Sequence, residues 1–128
     1  MEHLLFVAAG GAIGSLLRYL VTTAALVWLG PGFPWGTLAV NLAGSFLIGL
    51  VQALAAEKLV LGEEARLFLT TGVMGGFTTY SAFSYETVSL MERGASGPAW
   101  LNLVLTTSGC LAVCYLGMLT GRMVLAPR

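Results

Sequence analysis

Charge is nearly missing from this sequence. Its 128 residues hold six Lys+Arg and six Asp+Glu, 9% in all, and the formal net charge is zero. A soluble domain carries about 25% charged residues, so this chain lacks the means to wet a globular surface. No basic run or tail is present, which removes nucleic acid as a partner. Histidine occurs once, as His3, without the set of further ligands that a zinc site requires. The two cysteines, Cys110 and Cys114, lie four residues apart in one apolar run. That spacing holds helical side chains too far apart for a disulfide, and the plainer reading is small apolar packing residues. No nucleophile–base pair stands out, so an enzyme is not expected. The opening "MEHLLFVAAGGAIGSLLRY" has no positive n-region and does not read as a signal peptide.

What is present is apolar length. Hydrophobic residues make up 57% of the chain, and the mean hydropathy is +0.87. A bilayer core takes about 20 apolar residues as helix. The pattern predicts an all-α integral membrane protein, one domain over 1–128, with spans at about 4–29, 37–56, 67–91 and 99–121. "GPGFP" is a short turn, and "EKLVLGEEAR" and "ERGASGP" are water-facing loops. The bias of Lys58, Arg66, Arg122 and Arg128 against Arg93, with Arg18 in reach of the same side as Arg93, leans toward termini inside. It is thin enough to permit insertion both ways. Four helices enclose little interior, so a solute path calls for a second subunit.

Polar residues fall in stripes. In the second span Thr37, Asn41, Ser45 and Gln52 recur along one face with Gly44 and Gly49. Small residues there serve helix packing, but a mid-membrane carboxamide such as Asn41 requires a polar neighbour or a cavity. In the fourth span Asn102 and Thr106 stack at i,i+4, with Cys110 one step on. In the first span Gly10 and Gly14 have a helix-packing spacing. Arg18, a turn further, either snorkels to the interface or lines a vestibule for anions.

The third span holds "GGFTTYSAFSYE", Gly75 to Glu86. The glycine pair predicts a helix broken at mid-membrane, near 75–79, which is tolerated only inside protein or beside water. A break frees carbonyls that suit a cation and amides that suit an anion. Thr78, Thr79 and Ser81 are candidate caps for the new N-terminus. Tyr80 and Phe83, at i,i+3, either pack or offer positive ring edges to a small anion. Ser84 shares the Tyr80 face, and Glu86 sits near the membrane edge.

"GGAIGSLLRY", "WGTLAVNLAGSFLIG" and "TTGVMGGFTTYSAFSYE", in that order, resemble the Fluc fluoride channels, also called the CrcB family. The resemblance implies an antiparallel, dual-topology homodimer in the cell (inner) membrane, with passive, selective export of fluoride. It implies a structural sodium ion held by backbone carbonyls of Gly75 and Thr78 from both subunits. It places Asn41, Tyr80, Phe83, Ser81, Ser84, Asn102, Thr106 and Cys110 along the anion pathway, and Arg18 and Glu86 at the vestibule. Two positions depart from the family pattern: Tyr80 where phenylalanine is usual, and Cys110 where serine is common. The alternative is a small multidrug-type, proton-coupled cation exporter, for which Glu86 is the available carboxylate. A non-transporting scaffold would explain the glycines and not the hydroxyls.

Overall fold

A computed structural model describes residues 1–56 and 60–127. Lys58 and Arg128, which bear on orientation, lie outside the described residues, as does Glu57 of the second loop. The described residues form helices joined by short turns. Helix α1 spans Glu2–Leu29, α2 spans Trp35–Ala56, and α6 spans Ser96–Leu125. These three are long and apolar enough to cross a membrane.

The third path comes in pieces. Helix α3, Glu63–Leu67, continues without a break in helical backbone as a π-helical segment, Phe68–Met74, and a final turn α4, Gly75–Phe77. Thr78 and Thr79 are then extended, with φ/ψ of −85/157° and −153/107°, and α5 runs over Tyr80–Glu92. The interruption thus falls at the C-terminal end of the expected 75–79 stretch. Gly75 and Gly76 stay helical, and Gly76 is needed for a different reason. A Cβ there would meet Gly11 O at 2.5 Å and Ser15 N at 3.0 Å, so only glycine lets α1 lie this close.

Glycine contacts set the packing elsewhere as well. Gly10 and Gly14 place α1 directly on the backbone of Phe68, Gly72 and Val73. Gly49 and Gly117 bring α2 and α6 together, each against the other helix's main chain. Helix α5 packs on α6. Gly30, at φ 79°, turns the chain out of α1 while its N–H still bonds Leu26 O at 3.0 Å.

Few large side chains are buried; Leu38, Val40, Val73, Met74, Phe83 and Leu90 are the main ones. Many others point outward, among them Leu16, Leu20, Trp28, Trp100, Leu111 and Met123. A water-soluble monomer rarely shows so much apolar surface; hydrocarbon is the solvent that suits it. Hydroxyls are quieted within their own helices, as Thr22 donates to Arg18 O, Thr70 to Arg66 O and Thr120 to Leu116 O. That i−4 bond keeps a polar group compatible with lipid.

Candidate functional site

The polar residues meet around the interruption. Asn41, from the middle of α2, is buried and clamps the peptide of Thr79 from both sides. Its Oδ1 accepts from Thr79 N at 2.8 Å, and its Nδ2 donates to Thr79 O at 3.1 Å. Thr79 N is the donor that an unbroken helix would give to the Gly75 carbonyl. Its capture by Asn41 accounts for the break at this residue. Thr79 then caps the new helix, its Oγ1 accepting from Ala82 N at 3.2 Å. Ser81 Oγ lies 3.3 Å from that same oxygen, while Thr78 Oγ1 donates back to Met74 O at 2.9 Å. Of the three hydroxyls expected as caps, Thr79 is the one that caps.

Beside the break lies a cavity of about 450 Å³, walled by α2, the third path and α6. Asn41, Ser45, Gly75, Thr78, Tyr80, Phe83, Thr106, Thr107 and Cys110 line it beside apolar residues such as Ile48, Met74 and Leu111, and among the described residues no charged side chain does. The rings of Tyr80 and Phe83 sit 5.4 Å apart at 62°, edge toward face. Phe83 is buried, whereas Tyr80 is 79% exposed. The cavity is therefore open on the side where Tyr80 and Gly75 face outward.

Three residues grouped with these by sequence lie elsewhere. Ser81 is exposed off the cavity wall, and Ser84 Oγ donates to Tyr80 O at 3.0 Å. Asn102 is fully buried behind the wall. Its Nδ2 donates to Thr87 Oγ1 at 2.9 Å, its Oδ1 accepts from Thr106 Oγ1 at 3.3 Å, and Thr87 Oγ1 donates to Phe83 O at 2.7 Å. This chain of bonds ties the α6 wall to the backbone that carries the Phe83 ring. Thr87 escaped the sequence reading. Its signal was the i, i+4, i+7 series Phe83, Thr87, Leu90, which marks the buried face of α5. Replacing it with the isosteric valine (T87V) strands Asn102 Nδ2 in an apolar setting. A loss of about 1–3 kcal/mol is expected, measured as a lower thermal midpoint in detergent.

Arg18 and Glu86 are not on this cavity. Arg18 is half-buried, and its Nε donates to Gly76 O at 3.0 Å. It caps the last turn before the break, where a cation is favoured by the helix dipole. Glu86 Oε1 accepts from Thr37 Oγ1 at 2.8 Å, and its other oxygen is buried without a partner among the described residues. It lines a separate space of about 260 Å³ with Tyr19, Thr22 and Thr37. Cys110 and Cys114 are both free thiols.

The break also has the donor chemistry of a hard-cation site. Thr79 N is turned from the Gly75 carbonyl to Asn41, and Ala82 N from the Thr78 carbonyl to Thr79 Oγ1. Both Gly75 and Thr78 line the cavity. Carbonyls freed by an unwound turn are suited to sodium, so these two residues fit the ion that the resemblance implies.

Comparison with known proteins gives the family. The family model described as "CrcB-like protein, Camphor Resistance (CrcB)" matches residues 5–118. A protein of Agrobacterium fabrum named "Fluoride-specific ion channel FluC" is 51% identical over 95% of this chain and 98% of its own length. Proteins of the same name from Magnetococcus marinus and a Chelativorans species are 44% and 46% identical, over 93% and 98% of this chain and 97% and 100% of their own. Near-complete coverage in both directions, at this identity, places the chain in the CrcB family.

Proposed function

We propose that this chain is a fluoride-selective ion channel that lets fluoride leave the cytoplasm passively. The observation that carries the reading is a cavity where hydroxyls, a carboxamide and an aromatic pair stand among apolar residues such as Ile48, Met74 and Leu111, with no charged side chain on its wall among the described residues. Fluoride is strongly hydrated, so a pore has to replace its water with several donors. Conduction also needs binding weak enough for exit, and a buried lysine would hold the ion. Asn41 Nδ2 uses one hydrogen on Thr79 O and keeps a second. Ser45, Thr107 and the weaker donor Cys110 line the same space. The Tyr80–Phe83 pair adds positive ring edges. The relatives' shared name, an ion channel specific for fluoride, supports this class over both an enzyme and the cation exporter.

The working unit in this proposal is an antiparallel, dual-topology homodimer, with the break at mid-membrane. Its support is the open side of the cavity, where Gly75 and Tyr80 face outward, together with the thin charge bias. The anion pathway is assigned to Asn41, Tyr80, Phe83, Thr106 and Cys110, with Asn102 supporting it from behind and Ser81 and Ser84 off the cavity wall. Gly75 and Thr78 carbonyls of the two copies are the proposed ligands of a structural sodium ion. When bound, that ion supplies positive charge that draws the two break segments together.

Fluoride efflux from liposomes carrying the purified protein, read with a fluoride electrode and with chloride as control, tests the reading. Rapid fluoride release with almost no chloride release is expected. Folded protein in sodium that releases neither ion would overturn it.

A further inference from the structure

The carbonyls around the interruption are not equivalent. Gly76 O is occupied by Arg18 Nε at 3.0 Å, from a residue 58 positions away in α1. Thr79 O is occupied by Asn41 Nδ2 at 3.1 Å, from α2. Gly75 O and Thr78 O have each lost the amide that a continuous helix would supply, to Asn41 Oδ1 and to Thr79 Oγ1. Two neighbouring elements thus fill Gly76 O and Thr79 O, while no side chain among the described residues bonds Gly75 O or Thr78 O.

We infer that Arg18 and Asn41 are positioning residues that together select which carbonyls of the break are left for a cation. The inference rests on the sodium reading above and deepens it. Arg18 has two effects of opposite sign. By filling Gly76 O it stops a cation from sliding onto that oxygen and fixes the last turn of α4 against α1. Gly76 lies close against α1, where a Cβ would meet Gly11 O at 2.5 Å and Ser15 N at 3.0 Å. As a charge, however, a guanidinium beside a cation site repels the cation. In this inference the fixed hydrogen bond outweighs the repulsion, because it holds the residue next to the Gly75 carbonyl. A vestibule residue that acted only through its charge would lack this partner and would face the cavity, which Arg18 does not.

The opposed signs make the test decisive. Purified full-length protein is titrated from N-methylglucamine into sodium chloride, and the thermal midpoint is followed for wild type, Arg18→Met and Arg18→Lys. The wild-type midpoint rises with sodium. Arg18→Met is expected to need about tenfold more sodium for the half-maximal rise, as suits the loss of one hydrogen bond to a charged group. Arg18→Lys, which keeps the charge and one donor, falls between the two. An unchanged or lower sodium requirement in Arg18→Met overturns the inference, and a lower one assigns Arg18 an electrostatic role. Should Arg18→Met not fold, Arg18→Lys decides, and a sodium requirement equal to wild type overturns the inference. A wild-type midpoint indifferent to sodium would overturn the sodium reading and this inference with it. Fluoride release in the liposome assay would then still stand or fall by itself.

Discussion

Asn41→Asp is expected to lower fluoride flux by roughly a hundredfold or more while the protein still folds. The amide of Asn41 is matched to the Thr79 peptide, donor to carbonyl and acceptor to N–H. A carboxylate keeps the acceptor but sets a second oxygen against Thr79 O at the same place. It also introduces negative charge on a wall that has none. A buried acceptor without a donor costs about 1–3 kcal/mol, more when charged. An added barrier of about 2.7 kcal/mol against an anion suffices for a hundredfold loss of rate. The check is fluoride efflux from liposomes, with size-exclusion chromatography and helical content confirming an intact protein. Wild-type flux in a folded N41D protein would remove Asn41 from the pathway.

The second large effect is expected at the crossing of α2 and α6, and it is graded along a single helix. In Gly117→Ala the new methyl meets Phe46 O, Leu50 N at 3.0 Å and Phe46 C at 3.0 Å, all main-chain atoms that cannot rotate away. The two helices must separate, and overpacking of this kind costs about 1–3 kcal/mol or more. In Gly109→Ala the methyl meets only Leu42 Cδ2, at 2.9 Å, the far end of a flexible side chain. In Gly97→Ala it meets nothing within 4 Å, and the gain in helix propensity, up to about 1 kcal/mol, is left to act. The expected order of thermal midpoints is Gly97→Ala, Gly109→Ala, then Gly117→Ala, the last far below the others. Equal midpoints for all three would show that the α2–α6 crossing is looser than drawn here.

The same residues show how far the sequence reaches. Hydrophobic length and helix breakers are local properties, so the four helical paths and the turn at "GPGFP" are legible without a partner. Observed bounds differ by a few residues: α1 starts at Glu2 against the expected 4, and α6 spans Ser96–Leu125 against 99–121. The chemistry of the third path is legible too, because so many hydroxyls beside two glycines have no use in lipid. The π-helical turn at Phe68–Met74 leaves no comparable mark, since no residue type encodes it by itself.

By itself, then, the sequence determined the solvent, the number of helical paths, the neighbourhood of the interruption and the kind of donors gathered there. Each of these depends on residue type and short-range spacing. Only the tertiary structure decided where within 75–79 the chain opens, at Thr78–Thr79, because the partner that captures Thr79 comes from α2. It also decided that Arg18 caps Gly76, and that Ser81, Ser84 and Asn102 stand off the cavity while Cys110 faces it. Successive residues of a helix turn by about 100°, so a small rotation of one helix against its neighbours exchanges wall residues for supporting ones. That rotation is fixed by where glycines let backbones touch, a relation between segments that no single stretch of sequence contains.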